Sequence, residues 1–431
     1  MTKLFTSSKY YLQQIAALLL YRSVLENEVG EKYLKLLQTL NLFSSETKSD
    51  RVTAIECFQA YSDWFCALAE TNLSWQDYLI EQILLDDNPF SQQIQTTKLS
   101  ELAPSLVAAT QHDLKILQNL HDFTAEKIAQ WVSSTSQTND KMVVWQGRSS
   151  QTNLLQQADN WQDKIPQLAQ HYIQHGTGMF ARYSAFRWQN GELVGIAKPD
   201  PITLDRIVGY EHQKETLIKN TQFLLAGYHA LHTLLYGSRG TGKSSLVKAL
   251  RTEYSPQGLR IVEVSKFELN NLPTIVEQLR QVPQKFIIFV DDLSFEEHDD
   301  AFKALKVVLE GNLTATAPNI VVYATTNRRH LIREYFSDRP RPSDSDEIHN
   351  WDTVQEKLSF SDRFGLTVTF EPADQDTYLK IVSHLAQQAQ IKISSTELEF
   401  RAKQWATRGN GRSGRTAKQF VDYLRGEQGI S

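Results

Sequence analysis

The sequence predicts an α/β protein with a parallel β-sheet, preceded by an all-α N-terminal domain and followed by a helical C-terminal segment. Apolar residues recur every three or four positions before about residue 180, and the same helical period returns after Asp374. Between them, short β-branched runs alternate with helical patterns, which is typical of a parallel sheet covered on both faces. A chain of 431 residues, 41% of them hydrophobic, is long enough for two or three domains.

The N-terminal part shows the helical period over residues 9 to 40, 52 to 85 and 105 to 132, and the polar residues 133 to 140 predict a loop. The apolar run from 15 to 21 is too short to cross a bilayer, and no small-residue cleavage site follows it. Two cysteines, Cys57 and Cys66, suggest no disulfide framework. We therefore expect a cytoplasmic protein with no membrane partner.

The middle of the chain supplies the strands. Residues 180 to 201 alternate on both sides of Asn190-Gly191, which predicts a β-hairpin, and we interpret it as a hinge piece. Further strands are expected at residues 232–236, 259–264, 286–290, 319–326 and 366–370. The predicted organisation is a helical domain at 1–178, a hairpin and linker at 179–201, an α/β domain at 202–372 and a helical segment at 373–431.

A glycine-rich stretch joins the strand ending at residue 236 to a helix over 244 to 253, and it satisfies G-x-x-x-x-G-K-[ST]. Its small residues let backbone N–H groups converge on phosphates, Lys243 adds a full positive charge, and Ser244 offers a hydroxyl to Mg2+. The predicted nucleotide contacts are Gly237, Ser238, Arg239, Gly240, Thr241, Gly242, Lys243, Ser244 and Ser245.

Two carboxylates follow the strand at 286–290. Asp291 and Asp292 should lie at the carboxyl edge of the sheet, where open α/β folds bind ligands. We predict that Asp291 binds Mg2+ together with Ser244, and that Asp292 orients or deprotonates the attacking water.

Four longer sequence motifs add to the phosphate loop and the acid pair: DDLSFE at 291–296, NRRHL at 327–331, SDRFG at 361–365 and SGRTAKQF at 413–420. With them, residues 180 to 425 resemble an AAA+ ATPase and, more closely, a bacterial AAA+ family of uncharacterised function. The resemblance implies a P-loop NTPase sheet with an AAA+ helical lid, ATP and Mg2+ as cofactors, and a homo-oligomer. Many AAA+ proteins have Glu where this chain has Asp292, so Glu296 or Glu297 is an alternative.

The resemblance also assigns roles outside the phosphate loop. Asn327 corresponds to the polar residue that positions the attacking water, and Arg363 to an arginine finger that reaches a neighbouring subunit. Arg415 corresponds to the lid arginine that closes on the γ-phosphate, with Arg412 as the competing candidate.

The segment before the first helix of the α/β domain resembles the one that lies against adenine in AAA+ proteins. Its predicted base contacts are Ile207, Val208 and Gly209. Ordinary core packing at the domain junction is the alternative.

Three other features have weaker implications. The basic cluster Arg328, Arg329, His330 and Arg333 is expected to contact the phosphate of the nucleotide, with nucleic-acid phosphate as the alternative. The acid- and proline-rich residues 337–350 are expected to form a mobile loop. Phe267 lies where substrate-threading AAA+ proteins carry an aromatic pore loop, but KFELNN lacks the aromatic-apolar-glycine pattern, which disfavours threading.

Two function classes fit the sequence. In one, ATP hydrolysis drives a conformational change of a protein or nucleoprotein client. In the other, the protein is a slow or non-hydrolysing ATP-dependent switch that recruits partners through its helical domain. The net charge of −5 gives no global attraction to nucleic acid, so that partner stays undecided.

Overall fold

The computed structural model describes residues 2–44, 53–135, 142–147, 154–295, 301–310, 317–327, 360–409 and 411–430. The chain divides into two compact units, Met1–Arg182 and Tyr183–Ser431, and each has its own hydrophobic core. The described part of the first unit is helical, and the second unit is α/β, so the predicted fold class is confirmed.

The helices of the first unit are α1 (Thr2–Ala16), α2 (Glu28–Ser44), α3 (Ala54–Thr71), α4 (Trp75–Leu85), α5 (Pro89–Gln93), α6 (Pro104–His121), α7 (Ala125–Thr135), α8 (Ile165–His175) and α9 (Gly178–Arg182). Their shared core contains the buried rings of Tyr33, Trp64 and Trp75, with 4.3 Å between the centroids of Tyr33 and Trp75. Residues 133–135, expected in a loop, extend α7 by a further turn.

The expected helical stretch over residues 9 to 40 is interrupted between α1 and α2. The carboxylate of Asp113, which is fully buried on α6, accepts backbone N–H bonds from Leu19, Leu20 and Tyr21 at 3.0, 2.7 and 3.0 Å. A buried carboxylate must be hydrogen-bonded to offset its desolvation, and these three donors then cannot serve an α-helical ladder. The helical period therefore covers two helices here, separated by the residues that bond Asp113.

The strands of the second unit are β1 (Ala185–Gln189), β2 (Glu192–Gly195), β3 (Thr233–Gly237), β4 (Leu259–Glu263), β5 (Lys285–Val290), β6 (Ile320–Thr326) and β7 (Leu366–Phe370). They form one sheet in the order β2-β1-β4-β5-β6-β3-β7. The β1–β2 pair is antiparallel and every other pair is parallel. Since β1 pairs with β4, the hairpin that we interpreted as a hinge piece is part of this sheet.

Every residue of β6, and every residue of β5 after the first, is buried. Because successive side chains of a strand point to opposite faces, helices must cover both faces of these central strands. Their carboxyl ends, with that of β3 beside them, meet at one edge of the sheet. The loops at this edge hold the phosphate-binding sequence, the acid pair and Asn327.

The helices of the second unit are α10 (Glu211–Leu225), α11 (Lys243–Tyr254), α12 (Leu272–Arg280), α13 (Ala301–Glu310), α14 (Gln375–Gln388), α15 (Ser395–Arg408) and α16 (Gly414–Ile430). The last three pack on one another and form the C-terminal helical segment that the sequence analysis predicts to be a lid. The backbone N–H of Arg415, at the start of α16, donates to the carbonyl of Gly240 at 3.3 Å. Among the described residues, no helix has the length and apolar character of a membrane span.

Candidate nucleotide-binding site

The turn between β3 and α11 needs glycine at three positions for different reasons. Gly237 has φ +143°, and a Cβ there would lie 2.0 Å from the carbonyl oxygen of Phe370 on the neighbouring strand β7. Gly240 and Gly242 have φ +79° and +89°, in the left-handed region that favours glycine. Gly242 is the N-cap of α11 and faces open space, so the helix N-terminus begins at an accessible surface.

The side chain of Lys243 folds back onto this turn and is fixed there by hydrogen bonds. Its Nζ donates to the carbonyl oxygens of Gly237 and Ser238 at 2.7 and 2.8 Å, and to Oδ1 of Asn327 at 3.0 Å. Burial lowers the pKa of Lys243, while the nearby carboxylates of Asp291 and Asp292 oppose that shift. The loop therefore presents a cation and a helix N-terminus to the same region, which is the arrangement that binds phosphate.

The acid pair lies next to the phosphate loop, as predicted from the shared edge of the sheet. Oγ of Ser244 donates to Oδ1 of Asp291 at 2.6 Å, so the two predicted magnesium ligands are adjacent. Asp292 follows, and its Oδ1 accepts a bond of 2.8 Å from Nδ2 of Asn327. Lys243 and Asp292 therefore bind opposite ends of the same Asn327 amide.

Thr325, near the end of β6, organises both aspartates and was missed by the sequence reasoning. Its Oγ1 donates to Oδ1 of Asp291 at 2.5 Å and accepts the backbone N–H of Asp292 at 2.9 Å. The hydroxyl thus both donates and accepts a hydrogen bond, at a side chain only 2% exposed. The signal was the pair of threonines before Asn327, but β-branched residues in a strand are ordinarily a packing feature.

Asp292 has φ +53°, which costs a non-glycine residue roughly 1–2 kcal/mol. The bonds of its backbone N–H to Thr325 and of its carboxylate to Asn327 hold it in this conformation. Strain of this kind is frequent at functional sites.

These groups line one cavity of about 830 Å³ in the second unit. Its walls come from the phosphate loop, the ends of β5 and β6, the segment before α10, and helices α14 and α16. The predicted site residues among those that line it are Ile207, Val208, Arg239, Gly240, Thr241, Gly242, Lys243, Ser244, Ser245, Asp291, Asp292, Asn327 and Arg415.

Four predicted site residues are not among the lining residues that the structure describes: Gly209, Gly237, Ser238 and Arg363. Gly237 and Ser238 instead supply carbonyl acceptors to Lys243. Gly209 has φ +90°, and a Cβ there would lie 2.6 Å from Cγ2 of Thr377, so it lets the chain pass close to lid helix α14.

The lid favours Arg415 over Arg412 as the cavity arginine. Arg415 lines the cavity, whereas the guanidinium of Arg412 donates to Oε1 of Gln375 at 3.1 Å. The same face of α16 brings Lys418 and Arg425 to the cavity wall, and Arg206 joins them from the segment before α10. The sequence reasoning did not select these three cations, because single basic residues on an amphipathic helix are usually solvated.

Arg363 lies in the 3-10 turn Phe360–Arg363, away from the acid pair. Its guanidinium bonds the carboxylate of Glu310, the last residue of α13, and its side chain is 17% exposed. In this structure the predicted finger is therefore paired inside its own subunit.

Several sequence-based candidates lie outside the described residues: Glu296, Glu297, the basic cluster of Arg328, Arg329, His330 and Arg333, and the insert at 337–350. Phe267 is described, and at 84% exposure it is the most exposed of the large hydrophobic side chains in the part of the chain that the structure describes. In the described part of the chain no three His, Cys, Asp or Glu side chains gather as a metal-binding group. The predicted Mg2+ site depends instead on one carboxylate and one hydroxyl.

The parallel sheet, the glycine turn at the end of β3 and the acid pair at the end of β5 together define a P-loop NTPase fold. The chain belongs to the family described as "Protein of unknown function (DUF815)", which matches residues 181–428. No curated protein matches it.

Solved structures of RuvB from Thermotoga maritima are similar to part of the chain. A threonine-to-valine variant has 15% identity and a TM-score of 0.34, covering 52% of this chain and 72% of that one. A proline-to-glycine variant has 17% identity and a TM-score of 0.38, with coverages of 53% and 67%. The structure titled RuvB Holliday junction branch migration motor has 14% identity and a TM-score of 0.32, with coverages of 52% and 72%. Values this low carry no functional information.

Proposed function

We propose that this protein is an AAA+ ATPase that binds and hydrolyses ATP with Mg2+ at a subunit interface and thereby changes the conformation of a protein or nucleoprotein client. The observation that carries the proposal is the 2.6 Å bond between Ser244 and Asp291, directly beside Lys243 and the N-terminus of α11. Ser244 lies in the first turn of α11 and Asp291 follows β5, so a hydroxyl, a carboxylate and a buried lysine come together where a metal ion and a phosphate would bind.

The donor set fits magnesium. Mg2+ prefers hard oxygen ligands and is usually held by one or two protein groups together with substrate phosphates. Ser244 and Asp291 would hold the ion, which when bound neutralises charge on the terminal phosphates. Lys243 and the backbone N–H groups of the glycine turn would bind the phosphate oxygens.

Water activation falls to Asp292 and Asn327 in this proposal. Asn327 donates to the Asp292 carboxylate through Nδ2 while its Oδ1 is held by Lys243, so the amide is fixed in one orientation. A carboxylate fixed in this way is suited to orient a water molecule and accept its proton. Arg415, which lines the cavity and whose backbone N–H bonds the Gly240 carbonyl, would stabilise charge on the γ-phosphate as the lid closes.

A homo-oligomer would complete the site with Arg363 from the neighbouring subunit. The bond to Glu310 means that Arg363 must leave a partner in its own chain before it can act in trans. We propose that subunit assembly makes this exchange. The helical domain at 1–178 would bind the client, with the hairpin and linker at 179–201 leading into the α/β domain at 202–372 and the lid at 373–431, in the cytoplasm.

The second candidate function, a slow switch or adaptor, is favoured by the same acid pair. Asp292 is one methylene shorter than glutamate, and its carboxylate is engaged by Asn327. A carboxylate on the shorter side chain reaches less far toward an attacking water, so ATP would be bound and retained, with the ATP state recruiting partners through the helical domain.

Phosphate release by the purified protein tests the hydrolysis proposal, with Lys243→Ala as the blank. Lys248→Ala is the matched control, since Lys248 lies on the same helix but is not among the described cavity-lining residues. Turnover in the wild type and in Lys248→Ala, but not in Lys243→Ala, would support hydrolysis. Wild-type turnover equal to the blank, with calorimetric ATP binding intact, would favour the switch. No heat from any magnesium–nucleotide mixture would defeat both.

Mixing two inactive variants tests the shared site. Arg363→Ala has an intact acid pair and lacks the finger, whereas Asp292→Asn has the finger and lacks the acid. If each site needs both subunits, the mixture recovers part of the turnover that either variant alone has lost. An unrescued mixture, with both variants folded and oligomeric, would remove Arg363 from the proposed site.

A further inference from the structure

The wall of the cavity formed by α14 and the segment before α10 has the character of a base-binding surface. Ile381, Leu385 and Gln388 are spaced at i, i+4 and i+7, so they share one face of α14, and all three line the cavity. Ile207 and Val208, from the segment before α10, line the same cavity. Two apolar surfaces suit the flat faces of a nucleotide base, and Gln388 is the one uncharged amide side chain on that helix face.

The orientation of the Gln388 amide is set by its neighbour. Nε2 of Gln388 donates to Oδ2 of Asp205 at 3.1 Å, and Asp205 lies in the 3-10 turn Leu204–Arg206, immediately before Ile207. A hydrogen bond from the Thr203 side chain lowers the pKa of Asp205, which keeps the carboxylate ionised at neutral pH. An ionised carboxylate only accepts hydrogen bonds, so the amide must direct Nε2 toward Asp205.

Once Nε2 is directed toward Asp205, the other end of the amide is an acceptor, Oε1. Adenine has a donor, the 6-amino group, where guanine and hypoxanthine have an acceptor, the 6-oxo oxygen. An acceptor facing the 6-amino group forms a hydrogen bond, whereas an acceptor facing a 6-oxo oxygen repels it.

We infer that Gln388, oriented by Asp205, selects nucleotides whose base carries a 6-amino group over those that carry a 6-oxo group. This inference rests on the proposed nucleotide site and names its base specificity. Gln388 contacts the base, and Asp205 is a positioning residue that acts through it.

The test compares the affinities of Mg-ATP and Mg-ITP by calorimetry, because the two bases differ at position 6 and at the neighbouring ring nitrogen. We expect the wild type to prefer ATP by about tenfold. Gln388→Met should bring the ratio close to one, chiefly by weakening ATP. Gln387→Met is the control, since Gln387 is an exposed neighbour not among the described cavity-lining residues, and it should leave the ratio unchanged.

Asp205→Asn separates positioning from mere structural support. Asparagine can donate as well as accept, which allows the Gln388 amide to turn over and offer Nε2 to a 6-oxo oxygen. We expect this variant to bind ITP more tightly than the wild type does. Equal weakening of both nucleotides would overturn the positioning role.

A wild type that binds ATP with an ATP-to-ITP ratio unchanged by Gln388→Met would overturn the inference and leave the proposed nucleotide site standing. A wild type that binds neither nucleotide would instead overturn the proposed function, and the base specificity with it.

Discussion

Replacing Thr325 by valine tests the structural core of the site with almost no change of shape. The threonine hydroxyl donates to Asp291 at 2.5 Å and accepts the backbone N–H of Asp292 at 2.9 Å, at a position that is 2% exposed. Valine has the same volume and branching, so the strand and its packing should survive. What disappears is one bond to a carboxylate and the partner of one backbone donor.

The size of the effect follows from these two bonds. A hydrogen bond to a charged group contributes about 1.5–3 kcal/mol, and a buried donor left without a partner costs about 1–3 kcal/mol. If about 2 kcal/mol of this appears in the positioning of Asp291, the concentration of Mg2+ needed for half-maximal turnover should rise roughly 30-fold. The remainder should appear as lost thermal stability.

The assay is ATP turnover at saturating nucleotide over a range of free Mg2+, together with thermal unfolding. Thr325→Ser keeps the hydroxyl and should restore the Mg2+ requirement to near the wild-type value. Thr367→Val makes the same chemical change at an exposed position of β7 and should alter neither property. A folded Thr325→Val protein with wild-type Mg2+ dependence would show that Thr325 does not position Asp291.

Three further predictions concern other parts of the chain. Glu310→Gln should release Arg363 and raise turnover severalfold at a given protein concentration, while an unchanged rate with a lower melting temperature would mark the pair as structural. Gly237→Ala should lower the free energy of unfolding by about 2 kcal/mol or more, because the added Cβ would clash with the Phe370 carbonyl. Gly191 has φ +82° and open space around it, so Gly191→Ala should lower the free energy of unfolding by only about 1 kcal/mol. Equal losses in urea denaturation would contradict the clash with Phe370. Burial lowers the pKa of His171 and of His232 to about 4, so the unfolded chain binds more protons than the folded chain between pH 6.5 and 4. The free energy of unfolding should therefore fall as the pH falls through that window, by up to about 3 kcal/mol for each histidine. Because Nδ1 of His232 accepts the backbone N–H of Val322, His232→Asn should flatten this pH dependence, and an unaltered slope in urea titrations at several pH values would refute the assignment.

The parts of the fold that were predictable depend on local pattern. Strand β5 was visible because five consecutive apolar residues are buried on both faces, and the meeting of Ser244 with Asp291 followed from the shared edge of a parallel sheet. Both conclusions need only sequence neighbours and the geometry of the sheet.

The parts that were not predictable depend on partners far away in the sequence. The interruption after α1 is caused by Asp113, more than ninety residues later, and nothing in the apolar run before Arg22 signals it. Similarly, Arg363 could be selected by resemblance, but its pairing with Glu310 is set by where α13 ends. The periodicity of apolar residues indicates which face of a helix or strand is buried. It contains no information about which distant side chains pack against that face.

The glycine turn shows how this limits the interpretation of a motif. All three glycines were assigned to phosphate binding, yet the clash at Gly237 is with the carbonyl of Phe370 in the sheet. A Cβ on Gly240 would lie 3.0 Å from Oγ of Ser413 in the lid, and the Gly240 carbonyl accepts the N–H of Arg415. Only Gly242 faces open space in the cavity.

The same turn therefore contacts the sheet, the lid and the cavity within six residues. A ligand that displaces the backbone at Gly240 must alter the hydrogen bond that its carbonyl accepts from the N–H of Arg415, because that bond joins the two backbones directly. Gly237, at the sheet side of the turn, pairs with Phe370 of β7, whereas Gly240 is bonded to the first turn of α16. If the turn binds phosphate as we propose, nucleotide state and the position of α16 would be coupled through the Gly240 carbonyl, which gives a physical basis for a conformational change in the second unit.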